Sequence, residues 1–193
     1  MILLALTCIS AGAKTKVVVL GDSLTEGFGL ARERAFPALL QKSLSGAGKE
    51  VEIINAGISG STTASGPSRM KWYVKSKPQV VVLALGANDA LRGLKLKISE
   101  NNLSATIDIA TQNGIKVLLA GIKIPTNYGK QYNDELEQVY VRLAKKHGIP
   151  LLPYLLEGVG GKPQYNLADG IHPNEAGHEI IAKLVEKHLL PLL

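Results

Sequence analysis

Short apolar runs alternate along this chain with longer stretches of helical periodicity. Five runs rich in β-branched or aliphatic residues predict strands at residues 16–20, 51–55, 79–85, 116–121 and 150–152. The remaining periodic stretches predict helices at residues 36–44, 65–75, 101–113, 133–146 and 174–189. At the start of the last one, Pro173 and Asn174 supply a proline and a polar cap. The order indicates a succession of βα units.

The predicted strands lack a polar side. The run Val80-Val81-Val82-Leu83 is apolar at every position, so a strand formed there needs cover on both faces. Five such βα units predict a three-layer α/β fold, in which a parallel sheet lies between two layers of helices. In the second predicted helix, we expect Trp72 and Tyr73 to face the core.

Five residues with chemical potential fall where these strands end. Ser23, Gly60 and Asn88 follow the first, second and third predicted strands, and Asp169 and His172 follow the last strand after a loop. Ligands of open parallel sheets bind beyond the carboxyl ends of the strands. We therefore expect all five residues on one rim of the molecule.

Composition places the chain among ordinary globular proteins. Its 193 residues are 46% hydrophobic and 20% charged, which predicts a single domain over residues 14–193. The net charge of +6 comes largely from scattered lysines, without the clustered basic and aromatic residues of a nucleic-acid-binding protein. We expect a solvated surface, no nucleic-acid partner and, by default, a monomer.

Residues 1–13 differ from the rest of the chain. They are largely apolar and end in Ala11-Gly12-Ala13, the small-x-small pattern of a signal-peptidase site, which predicts a periplasmic or secreted protein. The basic segment that usually opens a signal peptide is missing, so a disordered tail on a cytoplasmic protein is the alternative. The apolar stretch is far shorter than the ~20 residues that span a bilayer, and we expect no stable membrane insertion. Cys8 is the only cysteine, so no disulfide framework is possible.

The rim residues together meet the needs of acyl transfer. Ser23, on a tight Gly-Asp-Ser turn, is the candidate nucleophile, and His172 is the candidate base, with Asp169 holding its tautomer. The backbone N–H groups of Ser23 and Gly60 and the side-chain amide of Asn88 are candidate donors to an oxyanion. This set predicts a serine hydrolase.

Each motif also has an ordinary structural interpretation. Ser23 fits a helix cap, and so does Asn88-Asp89. Asp169 and His172 fit a surface turn, and Gly60 fits a simple turn glycine. The four motifs occur in order at one predicted rim, and this favours the catalytic interpretation.

Two other functions are compatible with parts of the pattern. One is a metal-dependent hydrolase, whose ligands would be Asp22, Asn88, Asp169 and His172. The other is a non-catalytic flavodoxin-like module that binds an anion at Gly21-Asp22-Ser23, beside a helix N-terminus. The first requires more histidines near strand ends than this chain offers, and the second leaves three motifs unused.

Four sequence blocks resemble the SGNH, or GDSL, hydrolase family. In the family's order they are Gly21-Asp22-Ser23-Leu24, Asn55-Ala56-Gly57-Ile58-Ser59-Gly60, Gly86-Ala87-Asn88-Asp89 and Asp169-Gly170-Ile171-His172-Pro173. The resemblance covers nearly the whole chain after Lys14. It extends to residues 124–129, which are similar to the substrate-side loop of the thioesterase I, lysophospholipase L1 and arylesterase branch. Ala87 replaces a glycine of some relatives, and Ser61 stands at a position that is acidic in close ones.

The resemblance carries specific expectations. It implies a flavodoxin-like five-stranded sheet of order 2-1-3-4-5, the catalytic roles named above, and no metal or cofactor. The implied partners are small acyl esters or lipids: carboxyl and aryl esters, acyl thioesters and lysophospholipids. The residues expected to bind the substrate are Asp22, Leu24, Ile124, Pro125, Asn127, Tyr128 and Ile171.

Overall fold

The computed structural model describes residues 14–125 and 128–193. Five parallel strands form one sheet in the order β2-β1-β3-β4-β5, as the family resemblance implies. The strands are β1 (Thr15–Gly21), β2 (Val51–Gly57), β3 (Val80–Ala84), β4 (Lys116–Ala120) and β5 (Leu151–Leu152). The predicted sheet, its parallel direction and its strand order are confirmed.

Helices cover both faces of the sheet. They are α1 (Ser23–Glu26), α2 (Phe36–Gly46), α3 (Gly66–Val74), α4 (Ala87–Leu91), α5 (Leu96–Gln112), α6 (Lys130–His147) and α7 (Glu175–Leu189). Helix α2 packs against α7, and α5 packs against both α3 and α6. The three-layer α/β architecture predicted from the apolar runs is confirmed.

The core lies between the sheet and these helices. Val17, Val18, Val19 and Leu20 of β1 are fully buried, as expected for a strand covered on both faces. The prediction that Trp72 faces the core is wrong, because its side chain is 63% exposed. Met70 of the same helix is buried, and a residue two positions further along a helix points to nearly the opposite side.

Helix α5 begins earlier than the sequence pattern predicts. Its first residue is Leu96, whereas the pattern predicts a start at residue 101. The segment from Leu94 to Ile98 alternates apolar and basic residues, which is typical of a strand. Leu96 is buried, and the Ser99 hydroxyl donates to buried Asp89 (3.0 Å), so tertiary contacts hold this turn as helix.

Three strands end at the same level and thereby position the functional rim. Gly21 of β1 pairs in register with Gly57 of β2 and with Ala84 of β3. The chain leaves each strand at this edge. A Cβ on Gly57 would lie 2.1 Å from the backbone nitrogen of Glu26, so only glycine lets α1 cross so close to the end of β2.

Candidate active site

The turn after β1 is built by Asp22. Its carboxylate accepts a hydrogen bond from the backbone N–H of Leu24 (3.0 Å) and caps α1, while Ser23 is the first residue of that helix. Asp22 performs the capping role that an ordinary structural interpretation gives to Ser23. The Ser23 hydroxyl is therefore available to contact other parts of the chain.

His172 connects the other two polar residues of the rim. Its Nε2 lies 2.9 Å from Oγ of Ser23, and its Nδ1 lies 2.7 Å from Oδ2 of Asp169. An ionised carboxylate only accepts hydrogen bonds, so Nδ1 carries the proton and donates to Asp169. Nε2 is then the acceptor for the hydroxyl proton of Ser23.

A single short turn holds both Asp169 and His172. Oδ1 of Asp169 accepts hydrogen bonds from the backbone N–H groups of Ile171 (2.9 Å) and His172 (3.0 Å). Desolvation acts to raise the pKa of Asp169. The hydrogen bonds from His172 and Ile171 outweigh it and lower this pKa to about 2, so the carboxylate is ionised at neutral pH. The ring of Phe28 packs on the His172 ring at a centroid distance of 4.5 Å.

The candidate oxyanion donors differ in whether they already have a hydrogen-bond acceptor within the chain. Among the hydrogen bonds of the described residues, neither the N–H of Ser23 nor that of Gly60 has an acceptor. The side-chain amide of Asn88 donates to the carbonyl of Ser61 (3.0 Å). Gly60 has φ +76°, and its carbonyl accepts from Arg92 (3.1 Å). These contacts fix the loop after β2 against both ends of α4.

A cleft of about 480 Å³ opens beside the Ser23 hydroxyl. Of the residues predicted to bind the substrate, four line it: Leu24, Ile124, Pro125 and Ile171. Ser23, His172 and Asn88 also form part of the wall. Four apolar or aromatic side chains that the sequence did not single out also line it, and these are Leu91, Ile122, Tyr154 and Leu156.

Two of the other predicted substrate-binding residues, Asp22 and Tyr128, do not line this cleft. Asp22 is fully buried behind Ser23, where its carboxylate forms the helix cap. Tyr128 is 42% exposed and is not part of the wall. Asn127 and the predicted signal segment 1–13 lie outside the described residues.

Residues 19–180 of the chain match the GDSL-like Lipase/Acylhydrolase family. The chain belongs to this family. This acylhydrolase is 38% identical over 186 residues to an arylesterase of Vibrio mimicus, with 95% of this chain and 93% of the relative covered. It is 36% identical over 191 residues to the thioesterase 1/protease 1/lysophospholipase L1 of Escherichia coli strain K12, with 98% and 90% covered.

A solved structure agrees with the acylhydrolase over most of its length. The crystal structure of TesA matches with a TM-score of 0.89 at 40% identity. The match covers 92% of this chain and 99% of that chain. The family predicted from the four sequence blocks is therefore confirmed by both sequence and fold.

A buried polar network in this acylhydrolase lies directly behind Asn88. The carboxylate of Asp89 is 2% exposed and accepts from the backbone N–H (2.8 Å) and the hydroxyl (2.5 Å) of Thr63, as well as from Ser99. It joins α4 to the segment that follows the Gly60 loop. No sequence signal identifies this network, because Thr63 and Asp89 are 26 residues apart.

Buried charge also lies beneath the turn of the acylhydrolase. Desolvation by burial raises the pKa of Asp22 from 3.8 to about 6, and one of its oxygens has no hydrogen-bond partner in the described structure. Arg69 of α3 donates to the carbonyls of Gly21 (3.0 Å) and Ala56, and so ties together the ends of β1 and β2.

The described part of the acylhydrolase places no three His, Cys, Asp or Glu side chains where they could hold a metal ion together. Within residues 14–125 and 128–193, no helix is long and apolar enough to cross a membrane.

Proposed function

We propose that this acylhydrolase is a serine esterase that works through a covalent acyl-enzyme, with Ser23 as nucleophile, His172 as base and Asp169 as the group that orients it. The single observation that carries this assignment is the position of His172. One of its ring nitrogens contacts the Ser23 hydroxyl and the other contacts an ionised carboxylate.

The reaction follows from these contacts. Ser23 Oγ attacks the acyl carbon while Nε2 of His172 takes its proton, and Asp169 stabilises the imidazolium that forms. Collapse of the tetrahedral intermediate breaks the bond to the leaving group, which receives the proton from His172. Water then gives a proton to His172 and attacks the acyl carbon. The second tetrahedral intermediate breaks its bond to Ser23 Oγ, which takes the proton back from His172, and the acid is released.

Three donors support stabilisation of the oxyanion in this proposal. The N–H groups of Ser23 and Gly60 are free of other acceptors in the described structure. The Asn88 amide has two hydrogens, and the bond to Ser61 uses one of them, so a second is left for the substrate. Loss of one such donor costs about 3–4 kcal/mol of transition-state stabilisation in other hydrolases.

The cleft supports an acyl chain as its occupant. Its wall is mainly apolar next to Ser23, which suits the hydrocarbon part of short- and medium-chain acyl groups. The names of the relatives, arylesterase and thioesterase 1/protease 1/lysophospholipase L1, support aryl esters, acyl thioesters and lysophospholipids as substrates. The proposed reaction uses side chains and backbone N–H groups of the chain, together with water.

A periplasmic or secreted location is part of the proposal. It rests on the apolar segment 1–13 and its small-x-small ending. Mass spectrometry of the protein purified from its host would find a chain that begins after Ala13. An intact N-terminus would contradict this location.

Replacement of Ser23 and of His172 by alanine tests the catalytic assignment. We expect each variant to lose roughly four or more orders of magnitude in kcat on a nitrophenyl ester, because the two groups act as a unit. Ser68→Ala and His188→Ala, which remove the same side chains from α3 and α7, should keep full activity. A phosphonate should label wild-type protein at Ser23.

Residual activity of Ser23→Ala or His172→Ala within tenfold of wild type would refute the assignment. Activity that is abolished by a chelator and unaffected by the phosphonate would instead favour the metal-dependent alternative.

A further inference from the structure

A basic and apolar surface segment lies beside the mouth of the cleft. Residues 92–98 read Arg-Gly-Leu-Lys-Leu-Lys-Ile and contain no acidic residue. Only Leu96 is buried, and it anchors the first turn of α5. Leu94 is 39% exposed and Ile98 is 53% exposed. Two aliphatic side chains are therefore exposed to solvent within a segment that also carries three positively charged side chains.

The fold places this segment next to the acyl-binding wall. It directly follows α4, whose Asn88 and Leu91 line the cleft. The hydroxyl of Tyr132, in the first turn of α6, donates to the carbonyl of Leu94 (2.9 Å) and joins the segment to that helix. The segment is therefore tied to both α4 and α6.

The charges of the patch are only partly neutralised within the chain. Lys97 lies 3.6 Å from Glu100, in an ion pair whose lysine is 76% exposed. Arg92 donates to a backbone carbonyl, which leaves its positive charge in place. Lys95 has no carboxylate within 4.0 Å in the part of the chain that the structure describes. A partner that satisfies the patch must carry negative charge and accept aliphatic side chains.

We propose that residues 92–98 form a docking surface for an anionic phospholipid surface. Its phosphate groups pair with Arg92, Lys95 and Lys97, and the interface between headgroups and acyl chains accepts Leu94 and Ile98. Such binding is peripheral and reversible, because the patch has two aliphatic side chains and no apolar helix. Docking brings the mouth of the cleft against a surface that contains acyl esters.

Binding to vesicles tests this surface independently of catalysis. Ether-linked phospholipids have no ester for the enzyme to cleave, so vesicles of ether-linked phosphatidylglycerol and phosphatidylcholine report docking alone. We expect wild-type protein to cosediment with these anionic vesicles and not with vesicles of ether-linked phosphatidylcholine. Binding should weaken in high salt, which screens the lysine and arginine charges.

A matched pair of double variants assigns the binding to the patch. Ile98→Ser with Lys95→Gln removes one exposed aliphatic side chain and one lysine from it, and Val141→Ser with Lys145→Gln removes the same groups from α6. One lysine near an anionic membrane contributes roughly fivefold in binding, so the first pair should weaken vesicle binding by about tenfold or more. The second pair should bind as wild type does.

A single charge substitution separates the effect of lost charge on vesicle binding from an effect on packing. Lys95→Glu leaves the apolar side chains intact and should weaken vesicle binding more than Lys145→Glu does. Wild-type protein that stays in solution with the anionic vesicles would overturn the proposal. Equal losses in the patch and control variants would overturn it as well, because they would show only the effect of net charge.

Discussion

Replacement of Asp22 by asparagine is expected to change how the stability of this acylhydrolase depends on pH. Asp22 is fully buried, and burial raises the pKa of its carboxyl from 3.8 to about 6. Between these values the folded protein binds a proton more readily than the unfolded chain. Stability from this group therefore falls as pH rises through this range and stays lower above it. Each step of one in pKa is worth about 1.36 kcal/mol, so the loss is ~3 kcal/mol.

A buried histidine has the opposite effect in nearly the same range. His178 is 1% exposed and accepts a hydrogen bond from the backbone N–H of Phe36 (3.1 Å). Burial lowers its pKa from 6.5 to about 4. Here the unfolded chain binds the proton more readily, so stability rises with pH between about 4 and 6.5. The gain is also ~3 kcal/mol, and the effects of Asp22 and His178 nearly cancel in the wild-type protein.

Removal of either titrating side chain, Asp22 or His178, should reveal the pH dependence of stability that the other one causes. Asparagine at position 22 keeps an oxygen for the N–H of Leu24, so the helix cap survives. The free energy of unfolding of Asp22→Asn should then rise by about 3 kcal/mol from pH 4 to pH 6.5. That of His178→Asn should fall by a similar amount, and the double variant should be nearly flat.

Denaturant-induced unfolding, followed by tryptophan fluorescence at several pH values across this range, measures each free energy. The comparison uses the slope against pH rather than the absolute stability, because each substitution also changes buried polar contacts. A slope of Asp22→Asn equal to that of the wild type would show that Asp22 titrates as it does in the unfolded chain. It would refute the reasoning from burial.

Two further substitutions test contacts of the site and of its support. Asp169→Asn should lower kcat on a nitrophenyl ester by about four orders of magnitude with little change in KM, because an amide favours the wrong tautomer of His172; kcat within tenfold of wild type would contradict this. Gly86→Ala should lower the unfolding free energy by about 3 kcal/mol, since Gly86 has φ +126° and its new Cβ would lie 2.2 Å from the Tyr140 hydroxyl. Tyr140→Phe in the same chain should recover part of that loss in denaturant unfolding, and no recovery would locate the strain elsewhere.

Local sequence patterns predicted the sheet and the rim well. A strand such as β3 is buried on both faces, and its uniform apolar composition shows this directly. Asp169 and His172 interact across three residues, so their pairing is visible in a short motif. Strand order came from the resemblance of the four blocks to a known family.

Features that depend on distant contacts were missed. The burial of Asp89 depends on Thr63 and Ser99, which belong to other elements. The start of α5 depends on the burial of Leu96, although its neighbours alternate like a strand. Helix α4, with only five residues, is too short to show a period. The exposure of Trp72 follows from the direction in which α3 turns Met70 toward the core.

The nucleophile and the acid–base pair of the candidate site are held by very different parts of the structure. Ser23 follows β1, an interior strand of the sheet whose residues Val17 to Leu20 are fully buried, whereas the acid and the base share one exposed turn that is closed by its own hydrogen bonds. Assembly of the site therefore requires that the turn with Ser23 and the turn with Asp169 and His172 be placed correctly relative to each other. The contact between His172 and Ser23 joins them. The segments between them, apart from the sheet and the candidate oxyanion donors Gly60 and Asn88, can change in length and composition during evolution as long as that placement is kept. This leaves specificity free to diverge while the chemistry stays constant.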